Sequence, residues 1–248
     1  MTDHEDAARY AVAAGELLLD LRSQAGGDDW ARWSLGDSGD LLANRQLLEL
    51  LHDEHPEDPV LSEESADDPR RLDADRVWIV DPLDGTREFT ELGRSDWAVH
   101  VALWERDRGL TAGAVALPAL GMVLSTGDPP EVPAADGRRP RIVVSRSRAP
   151  AAARRVAEVL DGDLVYLGSA GAKTMAVVLG EVDAYVHAGG QYEWDSAAPT
   201  VVAASAGLHV SRLDGSPLVY NRPDPWLPDL IVCRRELADD FVAAAAPY

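Results

Sequence analysis

The sequence predicts a chain that is α+β in its first half and α/β in its second. Three observations carry that reading. Strand-like apolar runs crowd together between Val77 and Ser125 with only short turns between them, as antiparallel hairpins require. Residues 127–140 then hold four prolines (Pro129, Pro130, Pro133 and Pro140) and read as a loop or lobe boundary. Beyond them strand and helix signals alternate, which is the α/β pattern. A first lobe is therefore expected at 1–139 and a second at 140–248.

In chain order, Ala8, Val12, Gly15, Leu18 and Leu19 fall at helical spacing, so a long amphipathic helix is expected over 5–22. Gly26-Gly27-Asp28-Asp29 ends it. A second helix is expected over 41–52, stopped by Pro56. Residues 60–62 form a short strand candidate and 77–80 a stronger one, where the chain should leave the strand abruptly at Pro82. Strands follow at 97–105, 110–117 and 122–125. The second half reads as strand 141–145, helix 150–160, strand 164–167, helix 173–179, strand 184–186, helix 196–206, strand 229–233 and a helical tail from Glu236.

Composition narrows the function. The 248 residues suffice for one large domain or two modest lobes, and 46% apolar with 27% charged residues is an ordinary globular mix. Asp and Glu outnumber Lys and Arg 43 to 23, for a net charge of −20. Such a chain repels polyanions, so nucleic-acid polymers and anionic membranes are poor partners. A phosphorylated substrate would need local positive charge, and a bound divalent metal supplies it. The single cysteine, Cys233, sits in the apolar run Leu230-Ile231-Val232-Cys233 and is expected to be a buried strand residue, with no disulfide framework. The acidic start Met1-Thr2-Asp3-His4-Glu5-Asp6 is unlike a signal peptide, and no apolar run approaches the roughly 20 residues that span a bilayer. A cytoplasmic protein is expected.

Val77-Trp78-Ile79-Val80-Asp81-Pro82-Leu83-Asp84-Gly85-Thr86 is the most informative segment. An apolar strand runs into two carboxylates three apart, with Pro82 between them and Gly85 just after. Carboxylates hold hard cations such as Mg²⁺, and free amides at a turn, here Gly85 and Thr86, hold phosphate. Asp-Pro and Asp-Gly are also ordinary turn dipeptides, but the whole combination at a strand end is much rarer.

Asp81-Pro82-Leu83-Asp84-Gly85-Thr86 resembles the signature of the inositol monophosphatase superfamily. Leu61-Ser62-Glu63-Glu64 upstream resembles its acidic pair, and Trp194-Asp195-Ser196-Ala197-Ala198-Pro199 downstream resembles its Trp-Asp motif. The resemblance implies a two-lobed, layered αβαβα sandwich. Within the superfamily the chain is similar to the CysQ-type 3′-phosphoadenosine 5′-phosphate phosphatases, actinobacterial ones above all. Asp96-Trp97-Ala98-Val99-His100, Gly168-Ser169-Ala170-Gly171-Ala172-Lys173, His187-Ala188-Gly189-Gly190-Gln191 and Arg212-Leu213-Asp214-Gly215-Ser216-Pro217-Leu218 carry that narrower likeness.

What the resemblance implies is a phosphatase in which Glu63, Asp81, Asp84, Asp195 and the Leu83 carbonyl hold two or three Mg²⁺ ions. Glu63 and the Thr86 hydroxyl would orient an attacking water, and the Gly85 and Thr86 amides would hold phosphate oxygens. The glycine-rich turn opening the helix at Lys173 would take a second anionic group through Ser169 and Gly171, with Lys173 adding a point charge. Glu193 would contact a substrate hydroxyl or stand as a solvated loop residue, Trp194 would pack, and His100 and His187 read as core histidines. A small phosphorylated metabolite as substrate, a homodimer, lithium sensitivity and a place in sulfate assimilation come with the same resemblance.

One departure stands out. Where the family has a Val-Thr-x-x-Asp run, this chain has Asp40-Leu41-Leu42-Ala43-Asn44. Asn44 cannot take a proton, so either Asp40 substitutes for the family's relay aspartate or Thr86 acts without it. Inositol 1-phosphate or fructose 1,6-bisphosphate remain alternative substrates for the same site. A haloacid-dehalogenase-like reading of Asp84-Gly85-Thr86 fails on the spacing of its second aspartate, and a non-catalytic metal-binding protein sits poorly with four intact carboxylates.

Overall fold

The computed structural model describes residues 1–25 and 29–245, and the side chains of these except 29–33. The chain runs α1 (Asp3–Ser23), α2 (Asp29–Glu54), β1 (Val60–Ser62), β2 (Arg76–Asp84), α3 (Thr86–Thr90), β3 (Ala98–Glu105), β4 (Gly109–Leu117) and β5 (Met122–Ser125). It continues with β6 (Arg141–Ser145), α4 (Ala151–Val159), β7 (Asp163–Leu167), α5 (Ala170–Val178), β8 (Ala184–Tyr192), α6 (Glu193–Ser205), β9 (His209–Ser211), β10 (Trp226–Cys233) and α7 (Ala238–Ala245).

Two five-stranded sheets result, ordered β1-β2-β3-β4-β5 and β7-β6-β8-β10-β9. In the first, only β1 and β2 are parallel. In the second, β7, β6 and β8 are parallel and β10 runs antiparallel to β8 and β9. Successive side chains of a strand face opposite sides, and both sides of each sheet are covered. Trp78 and Val80 of β2 join Tyr10, Leu18, Leu47 and Leu51 of α1 and α2, whereas Val77 and Ile79 face Met175, Ala198 and Val202 of α5 and α6. On the second sheet Val143, Tyr185 and Val232 reach the same α5–α6 layer, while Ile142, Val144, Val186 and Ile231 pack on Ala153, Val156 and Phe241 of α4 and α7. The layers are therefore α1/α2, sheet, α5/α6, sheet, α4/α7, which is the expected αβαβα sandwich. Coverage on both faces is why the strands read as continuous apolar runs. Cys233 is fully buried in β10.

Several elements differ from the sequence expectation. The Gly26-Gly27-Asp28 break lies outside the described residues. The second helix starts at Asp29, well before residue 41. Its first half holds Gly36 and Gly39, poor helix formers by propensity. Tertiary packing overrides them: a Cβ on Gly39 would meet Leu83 and Phe89 at 2.9 Å, and one on Gly36 would meet Thr86 at 3.0 Å. Those glycines let α2 lie against the β2–α3 junction. β2 does not stop at Pro82 but runs on to Asp84. β8 extends to Tyr192 through Gly189 and Gly190, and β9 had no strong sequence signal of its own.

Candidate metal centre and cleft

In a regular strand, residues three apart face opposite sides. In β2 Asp81 pairs with His100 and Asp84 with Ala98, so three steps on β2 match two on β3. That one-residue bulge turns both carboxylates to the same side. Pro82, which has no N–H to lose from the ladder, sits inside it. Asp195 arrives from the other side of the site, in the first turn of α6. Carboxylate oxygens of Asp81, Asp84 and Asp195 all lie within 4.8 Å of one another.

Each carboxylate is held by backbone. Asp81 Oδ1 accepts from the Leu83 amide at 3.1 Å, and Asp195 Oδ2 from the Tyr192 amide at 2.6 Å. Asp84 accepts from the amides of Ala170 at 3.1 Å and Gly171 at 2.6 Å, at the start of α5. His100 completes the set, with Nε2 3.1 Å from Asp84 Oδ2 and Nδ1 3.0 Å from the Trp194 carbonyl oxygen. Asp81 Oδ2 is buried without a hydrogen-bond partner among the described residues.

The electrostatics follow from that crowding. Burial, then the charges of Asp84, Glu63 and Asp195, hold Asp81 well above the usual carboxylate range. Burial and then Asp84 raise Asp195 to about 6. Burial works against the charge on Asp84 too, but His100, Lys173 and the Gly171 amide outweigh it and leave Asp84 at about 2. His100 is raised, because Asp84 overcomes the cost of burying the imidazolium. Three converging carboxylates, one with an orphaned buried oxygen, are the donor set that suits a hard divalent cation. The residues present fit Mg²⁺.

Glu63 stands outside the 4.8 Å group. The residue has exposed surface, yet its carboxyl stands among protein atoms, and that desolvation, then Asp195 and Asp84, raises it to about 7. The Leu83 carbonyl oxygen lies 3.3 Å from Thr86 Oγ1. Thr86 also donates to Asp40 Oδ1 at 3.2 Å. Burial, then Glu64, raises Asp40 to about 7. Asn44 is engaged elsewhere: its Oδ1 accepts from Ser62 at 2.7 Å, and its amide nitrogen donates to the Glu64 carbonyl oxygen and to Ser65. Between the two residues at this segment, Asp40 is the one that reaches Thr86.

The expected substrate contacts are placed differently. The start of α5 cradles the protein's own anion, Asp84, with the Gly171 amide, while Ser169 Oγ caps the Ala172 amide at 2.8 Å. Lys173 is buried and donates to the Gly168 carbonyl oxygen, with its ammonium 5.2 Å above the Tyr185 ring. Glu193 is neither a cleft residue nor a solvated one. It is fully buried, and its two oxygens accept from the Asn221 amide at 2.7 Å and the Arg222 amide at 2.9 Å. Gly85 has a left-handed φ of 90° at the start of α3. Trp194 stacks on Tyr192 with centroids 4.7 Å apart. Beside the carboxylates opens a cavity of about 380 Å³, lined by Asp84, Asp195, Lys173, Tyr185, His187, Gln191 and Trp226 among others.

The family model described as "Inositol monophosphatase family" matches residues 33–130 and 134–246. The chain belongs to the inositol monophosphatase family. Among its relatives, the 3′-phosphoadenosine 5′-phosphate phosphatase of Mycobacterium leprae is 53% identical over 249 residues, covering 96% of this chain and 91% of the relative. The 3′(2′),5′-bisphosphate nucleotidase CysQ of Escherichia coli is 32% identical, over 77% of this chain and 81% of its own. The crystal structure of inositol monophosphatase II from Staphylococcus aureus superposes with a TM-score of 0.79 at 21% identity, covering 96% of this chain and 94% of that one, and shares the fold. Within this inositol monophosphatase fold, His100 is the buried histidine that the sequence led one to expect, and its place at the site is what sequence reading missed. Its apolar strand neighbours marked it as core, and only the β2 bulge opposite shows that its Nε2 stands 3.1 Å from Asp84.

Proposed function

We propose that the protein is a Mg²⁺-dependent phosphomonoesterase that removes the 3′-phosphate of 3′-phosphoadenosine 5′-phosphate to give AMP. The observation that carries the chemistry is the convergence of Asp81, Asp84 and Asp195 at the head of a cavity that Lys173 also lines. The likeness to the Mycobacterium leprae phosphatase over nearly the whole chain supports the substrate. Glu63, Asp81, Asp84, Asp195 and the Leu83 carbonyl would hold Mg²⁺, which when bound lowers the pKa of a water and neutralises charge on the leaving oxygen.

The remaining work falls to the chain itself. The Thr86 proton is directed to Asp40 and the Leu83 carbonyl, so a lone pair of its hydroxyl stays free to accept from the attacking water. Glu63 orients the same water and takes up the proton it loses. The Gly85 and Thr86 amides orient the phosphate oxygens, the water oxygen bonds to phosphorus as the bond to the 3′ oxygen breaks, that oxygen takes a proton from solvent, and no phospho-enzyme forms. Lys173 offers charge to the second phosphate. The first lobe, 1–139, supplies most metal ligands and the second, 140–248, supplies Asp195 and the cleft wall. A cytoplasmic, lithium-sensitive homodimer completes the reading by family likeness; the exposed apolar side chains Leu120, Met122 and Val123 at the β5 edge support a partner copy.

The test is phosphate release from 3′-phosphoadenosine 5′-phosphate with and without Mg²⁺, with Asp84→Asn as control. Mg²⁺-dependent release lost in the variant supports the reading. Turnover of inositol 1-phosphate or fructose 1,6-bisphosphate in its place keeps the site and changes the substrate.

A further inference from the structure

Gln191, on the last stretch of β8 before α6, is only 7% exposed and lines the cavity beside the carboxylates. Among the described residues, neither the Nε2 nor the Oε1 of its amide has a hydrogen-bond partner. Buried side-chain amides are nearly always satisfied, and leaving both ends unmet is costly. Nothing in the fold requires the group: the metal centre, the caps of α5 and α6 and the core all close without it.

Its surroundings are those of a flat ring site. Gly189 and Gly190 precede Gln191, so between His187 and Gln191 the strand carries only the Ala188 methyl, which packs on the cluster of Val186 and Phe241. Gly190 has a φ of 91°, and a Cβ there would come within 2.4 Å of Trp226 Nε1. The indole therefore lies directly on the bare strand, yet Trp226 remains 43% exposed. An exposed indole face stacks well on a nucleobase, and a primary amide pairs through its donor and acceptor with the neighbouring donor and acceptor of a base edge. A polyol's hydroxyls would satisfy the amide but leave the indole face uncovered.

We propose that Gln191 and Trp226 form the base-reading site of this enzyme, with the Gln191 amide paired to the adenine edge and Trp226 covering the ring. Oε1 accepts from the exocyclic N6 amino group and Nε2 donates to the adjacent ring nitrogen. This rests on the nucleotide reading above and names the part of the cleft that separates nucleotides from base-free phosphates.

The test is calorimetric titration of the Mg²⁺-loaded protein with AMP and with ribose 5-phosphate, alongside hydrolysis of 3′-phosphoadenosine 5′-phosphate. The wild type is expected to bind AMP at least about tenfold tighter than ribose 5-phosphate, and Gln191→Leu to shrink that ratio by about tenfold. Gln191→Leu is also expected to melt no lower than wild type, since it removes an unpaired buried amide. Trp226→Ala, at a residue 43% exposed, should shrink the ratio as well and carries the comparison if the leucine variant fails to fold. Equal wild-type affinity for the two ligands, or a ratio unchanged in the variants, overturns the proposal. Hydrolysis of the bisphosphate without any dependence on Gln191 would sink the base site and leave the phosphatase reading standing. A base-dependent affinity without hydrolysis would do the reverse.

Discussion

His100 occupies the space that a side chain on Gly171 would need: a Cβ there would come within 2.1 Å of His100 Nε2. That same Nε2 is 3.1 Å from Asp84 Oδ2, and the Gly171 amide donates to the same oxygen at 2.6 Å. One carboxylate oxygen thus accepts from a helix-start amide and has an imidazole nitrogen within ion-pair distance, and only glycine lets both approach. Gly171→Ala should push the ring or the helix away, costing about 1–3 kcal/mol by overpacking and about 10–100-fold in Mg²⁺ affinity by loosening Asp84. Denaturant unfolding and a Mg²⁺ titration of activity read the two effects separately. An alanine variant with wild-type values on both would contradict this geometry.

The raised carboxyls set a pH dependence. Asp195 at about 6 and Glu63 at about 7 hold protons more tightly in the folded protein than ordinary carboxyls near 4. Their contribution to metal-free stability is therefore fully present below about pH 4 and is lost as pH rises to about 7. Mg²⁺ competes with those protons. The rise in Tm on adding Mg²⁺ should be small at pH 5 and clearly larger at pH 8. Equal rises at the two pH values would count against metal binding at this cluster.

Asp40 and Asn44 should separate by phenotype. Asp40→Asn leaves an oxygen that can accept from Thr86 but removes the carboxylate charge that polarises its hydroxyl, and kcat should fall about tenfold or more with little change in Tm. Asn44→Ala cuts the bonds to Ser62, Ser65 and the Glu64 carbonyl, so it should cost about 1–3 kcal/mol of stability and affect kcat less. The reverse pattern, in thermal melts and steady-state rates, would reassign the relay.

Glu193→Ala should act on folding. It strips the Asn221 and Arg222 amides of their acceptor and loosens the loop that buried Arg71 also holds, through Asn221 Oδ1 at 2.8 Å and the Arg222 carbonyl oxygen at 2.9 Å. A loss of about 2–4 kcal/mol is expected. A variant of unchanged stability with a raised KM would return Glu193 to the substrate site.

Much of this was legible along the chain. The strand patterns of the first sheet, the proline-rich break, the strand–helix alternation after it and the burial of Cys233 follow from local periodicity, because each depends on neighbours in sequence. The acidic motifs were legible too, since a carboxylate in an apolar setting is conspicuous. The early turns of α2 were not, because Gly36 and Gly39 lower local helix propensity and gain their helical place only by packing on Leu83, Phe89 and Thr86. The lengths of β2 and β8 escaped for a related reason: Pro82 and the Gly189-Gly190 pair look like strand breakers until a bulge and a neighbouring indole account for them.

By itself, then, the sequence determined the α+β and α/β character of its two halves and the identity of the acidic residues, both written in residue type and spacing, while the layered architecture came with the family resemblance that the acidic motifs carry. Only the tertiary structure decided which groups meet. It placed Asp40, not Asn44, at Thr86, turned the start of α5 toward Asp84, brought His100 to the same oxygen, buried Glu193 under a loop and left the Gln191 amide unpaired beside the cleft. Those outcomes hang on contacts between residues 16 to 87 positions apart in the chain. A bulge or a missing Cβ moves such contacts by ångströms without leaving a periodic trace in the sequence.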